Sequence, residues 1–442
     1  MIRGMDGLTQ RKAIKFLLRL GKSFSDINGL DSKMNVVQIR KFDIKSVAKY
    51  SLSVMKQLRH LTRISDLERL NSHKTSLGSA LANLIANETR DEFCDLKRNR
   101  LKLWVAVLTY FRIYFLTLQF IQREKPSLVY IYNGRFLYER AISDALRNFP
   151  SIETCYFETI RNRVVSTSHG FHNRILMQEE MLKFGRQFSK QEIIDIGFKY
   201  YSDLRSKRNT FVRNGKDQSI TSREYICFFT SSDDEYVGFW DTRVEHFGNQ
   251  IKAIKSLTDC AKELDIKVII RLHPNLSSKP GSVQERWKKS LNHLSLQYYE
   301  AEHPISSQYL IENSLGVVTY GSTIGLEAVA YLKPSLTLVD CIYDLLGCVS
   351  KATTKEDILE WLRTLQSTEK QHVTHEQLAG ACLRGLWIEK AGSLIEVAEL
   401  KESKWGAWEA TKILNLELKR PSKFERGHLI NRAKRITLGC RY

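Results

Sequence analysis

Two short segments carry residue types suited to holding a phosphate. In R-L-H-P-N, Arg271 and His273 stand two positions apart and share one face if the strand continues. Pro274 ends that strand and keeps His273 extended. A cationic pair at a strand end suits a phosphate. In G-S-T-I-G-L-E-A, Gly321 allows a tight turn from strand into helix, and Ser322 or Thr323 can cap the helix. Exposed N–H groups and the helix dipole at such a start attract an anion. Gly325 leaves room for a close approach to the first turn, and Glu327 could accept ribose hydroxyls. Taken singly, these are an ordinary capped helix and a histidine beside a turn proline. They gain weight together, because both close strands of one α/β region.

Four further groups fall at strand ends or in loops. Asn133-Gly134-Arg135 forms a tight turn, with Arg135 starting a helix against the helix dipole. An arginine held there points to an anionic ligand; a solvated arginine is the plain alternative. Glu158 ends the following strand, so it lines the same rim as a candidate base or nucleophile. Ser231-Ser232-Asp233-Asp234-Glu235 follows the first strand of the second half and could cap a helix or bind a sugar hydroxyl. His169 and His172 are spaced by three, but no third ligand with metal-site spacing is evident, so no metal site is assigned.

The elements that must position these residues alternate strand and helix. S-L-V-Y-I-Y (127–132), a helix through F-L-Y-E-R-A-I-S-D-A-L-R-N-F (136–149) and I-E-T-C-Y-F-E (152–158) read as one parallel βαβ unit. After 225 come strands at 225–230, 267–272, the short L-Q-Y-Y-E, 316–320 and 335–340, separated by helices. The first hundred residues read mainly as helices, with V-V-Q-I-R-K-F (36–42) as one candidate strand. The polar stretch 205–222 reads as the linker. This predicts two doubly wound, Rossmann-like α/β domains, residues 1–210 and 223–370, followed by a helical segment and basic tail at 371–442. In an open α/β sheet, ligands bind outside the carboxyl ends of the strands, where the polar residues above fall.

Composition narrows the class. The chain of 442 residues is 43% hydrophobic and 26% charged, an ordinary globular balance that rules out wholesale disorder. Its net charge of +19 is unevenly laid out: residues 1–125 hold 24 Lys+Arg against 11 Asp+Glu, residues 417–442 hold 8 against 2, and the stretch between holds 36 of each. Such surpluses attract anionic lipid or glycan surfaces. None of the eight cysteines forms a C-x-x-C pair, which fits a reducing cytoplasm. The start, with Ile14, Phe16, Leu17, Leu18 and Leu20 among lysines and arginines, reads as amphipathic rather than as a secretory signal. Residues 101–122 are long enough to span a bilayer, but Lys102 and Arg112 interrupt them, so a buried helix is expected.

The motifs Y-I-Y-N-G-R-F…R-A, F-E, F-F-T-S-S-D-D-E, R-L-H-P-N and Y-G-S-T-I-G-L-E-A-V-A-Y-L-K-P-S-L resemble those of bacterial capsule polysaccharide biosynthesis glycosyltransferases, a group that includes the β-Kdo transferases. Their logic is similar to that of bacterial sialyltransferases. The resemblance covers roughly 127–175 and 225–366. It implies a GT-B fold, two Rossmann-like domains facing across a cleft, with a helix-rich N-terminal region. It also implies sugar transfer from a nucleotide sugar, CMP-sugar favoured, to a glycan or glycolipid acceptor. Carried across by position, His273, Pro274, Ser322 and Thr323 match motifs that contact the donor phosphate, and Glu327 matches a carboxylate near the ribose; the residues themselves add Arg271, Gly321, Ser231 and Ser232 as donor-side candidates. Asn133, Gly134, Arg135 and His169 line the acceptor side, and the nucleotide sugar is a substrate, with no cofactor implied. The sialyltransferase acid has no counterpart in Asn133-Gly134-Arg135, which leaves Glu158, with His273, as the catalytic candidates.

Other readings are a CDP-alditol phosphotransferase of teichoic-acid type, a nucleotide-sugar epimerase, and a non-enzymatic membrane or nucleic-acid binder. No nucleic-acid-binding motif is present, so nucleic acid is not an expected partner. The expected location is the cytoplasm, peripheral on the inner face of the cytoplasmic membrane, with an anionic membrane surface as a candidate partner.

Overall fold

A computed structural model describes residues 43–70, 75–160, 163–210, 225–238, 245–367 and 373–394, and the strands between 398 and 417. The amphipathic start, the candidate strand 36–42, most of the expected linker, the tail after 417 and Cys440 lie outside these residues. By internal contacts the chain divides into two units: residues to Glu158 with Ser166–Ala391, and Thr159–Val165 with residues from Gly392 onward.

The first unit begins with helices α1 (Ile44–Leu58), α2 (Ile64–Glu68), α3 (Leu77–Thr89) and α4 (Arg100–Glu124). The stretch 44–68 is thus two helices separated by a turn. Val54, Leu58, Leu67, Leu81, Ile85, Val107 and Phe111 form their shared core. α4 buries Leu103, Ala106, Val107, Tyr110 and Phe111. Its opposite stripe stays in solvent: Leu101 is 74% exposed, Val105 51% and Leu108 44%. The expectation of a buried helix therefore holds for one face only.

Strand β1 (Leu128–Tyr132), helix α5 (Leu137–Leu146) and β2 (Glu153–Ile160) form the expected parallel βαβ unit, with Leu128 opposite Glu153 and Tyr132 opposite Phe157. β3 (Arg163–Thr167) was not anticipated. Helices α6 (Arg174–Gly185) and α7 (Lys190–Thr210) follow. Residues 205–210, expected in the linker, are the last turns of α7, where Arg205 pairs with Glu312 at 2.6 Å and stacks on Tyr331.

The second half is a doubly wound sheet. Its elements are β4 (Tyr225–Phe229), α8 (Gln250–Glu263), β5 (Lys267–Arg271), α9 (Gly281–His293), β6 (Gln297–Tyr299), α10 (Ser307–Asn313), β7 (Gly316–Thr319), α11 (Ile324–Ala330), β8 (Ser335–Thr337) and β9 (Ser350–Lys351). The spatial order is β6-β5-β4-β7-β8-β9, and every pair is parallel. This is the 3-2-1-4-5-6 order of a Rossmann sheet. Strands such as Y-I-C-F-F are apolar throughout because both faces are covered. α8, α9 and α12 (Lys355–Gln366) cover one face, with Ile254, Leu257, Trp287 and Trp361 packed against Phe228 and Ile270. Leu310, Ile311, Ile324 and Ala328 of α10 and α11 cover the other.

α13 (His375–Lys390) starts with a Thr374–Gln377 capping box and runs against α7. Tyr201 donates to the Ala381 carbonyl at 2.9 Å, and Lys190 pairs with Glu376. A helix after the sheet thus returns to one that precedes it. In the second unit the chain is extended, not helical: β10 (Ser393–Leu394) pairs antiparallel with β3, and β11 (Ala398–Glu402), β12 (Trp408–Ile413) and β13 (Leu416–Glu417) form an antiparallel meander.

The segment after β4 fixes the helical half to the sheet. Asp234, 1% exposed, pairs with Arg90 and with Lys279, both at 2.7 Å. Gly238, at φ 71°, sits so close to α3 that a Cβ would meet the Ser79 carbonyl oxygen at 2.2 Å. Its N–H donates to Glu68 at 2.8 Å, and the Val237 carbonyl accepts from Asn83 at 3.0 Å. Removing one partner from a buried ion pair leaves an uncompensated charge. Asp234→Asn strands the Lys279 ammonium, itself 3% exposed, and is expected to lower stability by about 3–5 kcal/mol in urea unfolding. Lys255→Ala, which breaks the exposed pair with Asp259, should change it by less than about 1 kcal/mol.

Candidate active site

The order β5-β4-β7 places the topological switch point between β4 and β7, because the chain leaves β4 towards β5 and returns to β7 on the other side. A doubly wound sheet opens its crevice there, at the carboxyl ends. Thr230, Ser231 and Ser232 follow β4, His273 follows β5, and Gly321, Ser322 and Thr323 follow β7.

The structure sorts these residues into ties and exposed groups. Thr230 Oγ1 accepts the His273 N–H at 2.7 Å, which joins the two strand ends. Ser231 Oγ donates to the Tyr320 carbonyl at 2.6 Å and spans the switch point, while the Ser231 N–H donates to Gln250 Oε1. Ser232 Oγ donates to Asp234. Both serines, placed at the donor by sequence, are buried and spend their hydroxyls inside the protein. Arg271 is corrected in the same way. It is 1% exposed, and its guanidinium donates to the carbonyls of Glu300 and of His303, the latter at 3.1 Å. It shapes the turn after β6, and β5 ends at Arg271, so the arginine and His273 do not continue one strand face.

His273 is part-buried and extended, and Pro274 opens a short 3-10 turn over Pro274–Ser278. The Asn275 N–H donates to His273 Nδ1 at 3.1 Å. That bond fixes the neutral tautomer with its proton on Nε2, a donor. Gly321 turns at φ 81°, and Ser322 and Thr323 stand part-buried and exposed ahead of the short helix α11. Tyr343 donates to the Ser322 carbonyl at 2.5 Å and holds the turn. Glu327 is buried at 9% exposure within α11. Gly325 serves the core: a Cβ there would lie 2.9 Å from the Tyr343 hydroxyl and 3.0 Å from Ser335 Oγ.

The first-half rim is built from β1 and β2. The Asn133 N–H extends their ladder by donating to the Phe157 carbonyl at 2.8 Å. Asn133 and Gly134 then turn at φ 56° and 84°, and the Arg135 N–H closes the turn on Asn133 Oδ1. This sets Asn133 beside Glu158, to which Asn133 Nδ2 and the Tyr132 hydroxyl both donate. Burial pushes the Glu158 carboxyl up, against the lowering effect of these two bonds and the Arg135 charge. His172 Nε2 lies 2.9 Å from Asn133 Oδ1, and burial together with Arg135 and Arg140 holds its imidazole neutral. His169, the residue assigned to this rim from sequence, pairs instead with Glu180 of α6 at 3.0 Å. Arg135 lies two residues before α5 rather than within it, with its Nη2 on Asn87 at 3.2 Å.

Arg135 joins the two rims. Burial lowers its pKa, while the charges of Glu235, Glu158 and Asp234 raise it. Glu235 accepts from Asn275 of the His-Pro turn at 2.8 Å. The Arg135 charge is thus felt by carboxylates of both rims, Glu158 on one and Glu235 on the other. Among the described residues no cluster with metal-ligand character occurs.

With this geometry described, the chain can be set beside known proteins. Residues 241–381 match the family described as capsule polysaccharide biosynthesis protein. The family resemblance carried by the motifs is met over that segment. No curated protein sequence matches the chain. Among solved structures, Thermosulfurimonas dismutans KpsC, a β-Kdo 2,4 transferase, is 13% identical at a TM-score of 0.38, covering 58% of this chain and 79% of that one. The S. aureus MnaA–UDP structure is 17% identical at 0.33 over 64% and 79%, and Methanocaldococcus jannaschii UDP-GlcNAc 2-epimerase with UDP-GlcNAc and UDP is 14% identical at 0.31 over 64% and 81%. These likenesses are remote.

One residue of the rim escaped the sequence reading. Glu139 of α5 is 4% exposed, and its carboxyl meets no donor other than its own backbone N–H. Burial, with the Glu158 charge added, raises it to about 7. In sequence it looks like any solvated helix glutamate. A carboxyl raised on folding disfavours the folded state as pH climbs from its ordinary value of 4.5 through about 7. Glu139→Gln is therefore expected to match the parent protein below about pH 4.5 and exceed it in stability above pH 7, by up to roughly 3 kcal/mol. Thermal unfolding across that range checks it; equal stability at pH 8 refutes it.

Proposed function

We propose that the protein is a glycosyltransferase that moves a sugar from a nucleotide-sugar donor, a CMP-sugar in the favoured case, to a growing surface or capsular polysaccharide or a lipid-linked acceptor. One observation carries this reading. Within the segment that matches the capsule family, the His-Pro and Gly-Ser-Thr segments end the strands on either side of β4, at the switch point of a Rossmann-ordered sheet. In this reading residues 223–370 are the donor half and residues 1–210 the acceptor half. The His273 Nε2 proton and the Ser322 and Thr323 hydroxyls stabilise charge on the leaving nucleotide. Glu158, oriented by Tyr132 and Asn133, takes the proton of the acceptor hydroxyl, or attacks the anomeric carbon if configuration is retained. The reading calls for no cofactor. His273→Ala and Ser322→Ala should abolish the rise in Tm that CMP gives the parent protein, while Glu158→Gln should keep that rise and lose transfer. No stabilisation by CMP, UDP, GDP or CDP would overturn the donor site.

We also place the protein in the cytoplasm, peripheral on the inner face of the membrane. The exposed stripe Leu101, Val105 and Leu108 of α4 supports this, with Lys97, Arg98 and Arg100 at its N-terminal end. Apolar side chains flanked by cations suit an anionic bilayer surface. By length and composition Leu96–Glu124 could cross a membrane, but its other face is committed to α1 and α5. A Leu101→Ser, Leu108→Ser double variant should bind anionic vesicles several-fold more weakly; equal binding of the parent to neutral and anionic vesicles would count against the surface.

A further inference from the structure

A second cavity borders the post-β4 segment at Asp233. Its volume is about 300 Å³, and its walls include Glu92 and Phe93 from the loop after α3, Asp233, Ile251 of α8, and Arg286 and Trp287 of α9. Pockets for small organic ligands begin at about this size, so it holds one ring and not a whole nucleotide sugar.

The lining has two characters. Trp287, Ile251 and Phe93 provide apolar and aromatic wall, and Phe93 stays 60% exposed although Arg286 stacks on it at 4.7 Å. Against this wall stand two carboxyls. The Glu92 side chain is only 10% exposed, and its Oε2 has no hydrogen-bond partner from another residue. Asp233 is held by Gln250 Nε2 at 2.8 Å. A buried oxygen left without a donor is costly unless a ligand supplies one.

Charge narrows the ligand. Arg286 is neutralised by Asp91 at 2.7 Å and approaches Glu92 only to 3.8 Å. The lining carries two carboxyls, Glu92 and Asp233, and two cations, Lys252 and Arg286, so it favours neither an acidic nor a cationic ligand. A neutral ring with hydroxyls on its edge and C–H groups on its face meets both characters of the wall.

We propose that this cavity binds a single neutral hexose-type residue of a glycan, with hydroxyls donated to Glu92 and Asp233 and the ring face against Phe93 and Trp287. Only the identity of the chain that carries the residue rests on the acceptor reading above. As an acceptor subsite, the cavity would hold one residue of the glycan.

The test uses the full chain, ligand-observed NMR and the methyl glycosides of glucose, galactose, mannose and N-acetylglucosamine, with methyl glucuronide as the acidic counterpart. At least one neutral glycoside should show saturation transfer to its ring protons, and methyl glucuronide none. Phe93→Ala, at an exposed position that folding tolerates, should weaken binding about tenfold or more, and Glu92→Leu likewise. Both variants should keep the CMP-induced rise in Tm of the parent, so that loss at this cavity is told apart from failure of the nucleotide site. The proposal is overturned if no neutral glycoside binds at up to roughly tens of millimolar, if methyl glucuronide binds as well, or if the Phe93→Ala protein binds undiminished.

Discussion

The buried carboxylate of Asp234 holds this architecture together. It stands in the turn that leaves β4, and its two cations come from opposite directions: Arg90 from the end of α3, and Lys279 from the turn after β5. Burial pushes its pKa up, yet the bonds from Lys279 and Ser232 and the two positive charges hold it below the ordinary value. The charge is therefore retained inside, and the segments that supply its partners are pinned with it. The neighbouring residues inherit that position. Asp233 lines the second cavity, Glu235 accepts from Asn275 and its charge acts on Arg135, and Tyr236 donates to the Gly321 carbonyl at 3.2 Å. One turn thus sets the distance between both rims and both candidate binding places.

A parallel sheet produces polar strand ends, but it does not decide which of them face a ligand. The hydroxyls nearest the centre, Ser231 and Thr230, are consumed in tying adjacent strand ends together. Those one strand further on, or later in the turn, are less enclosed: His273 and Ser322 are part-buried and Thr323 is exposed. Tying the ends fixes the exposed groups within small tolerances, which is what electrostatic stabilisation of a leaving group requires. The buried serines and Arg271 are positioning residues in this sense.

What could be read in advance follows the same division. The strands of the Rossmann sheet were legible because unbroken apolar runs such as Y-I-C-F-F and K-V-I-I-R mark strands buried on both faces. The Asn133-Gly134 turn was legible because the two residues tolerate left-handed backbone. The fate of a polar side chain depends on a partner far away in the chain, and no local pattern encodes it. Arg271 was read as a phosphate ligand because the carbonyls it holds lie 29 to 32 residues later. His169 was preferred to His172 for the same reason: spacing treats the two alike, and only the fold brings His172 to Asn133. β9 is too short to leave a pattern, and β3 alternates weakly.

The charge layout gains a physical meaning from these contacts. Residues 126–416 hold 36 positive and 36 negative side chains, which on the sequence alone looks like a surface without character. In the fold, part of that balance is spent internally. Arg174 of α6 grips Asp344 through both carboxylate oxygens at 2.9 and 3.0 Å and Asp340 at 3.2 Å; Lys351 bonds the same two aspartates, and His246 meets Asp340 at 3.2 Å. With Asp234 and Lys279, this makes two ion clusters on different sides of the β4–β7 switch point, each joining the sheet to helices of the first half. Oppositely charged pairs that leave water must match closely in number, whereas solvated charges need not. Neutrality in the middle of the chain is thus tied in part to its interior.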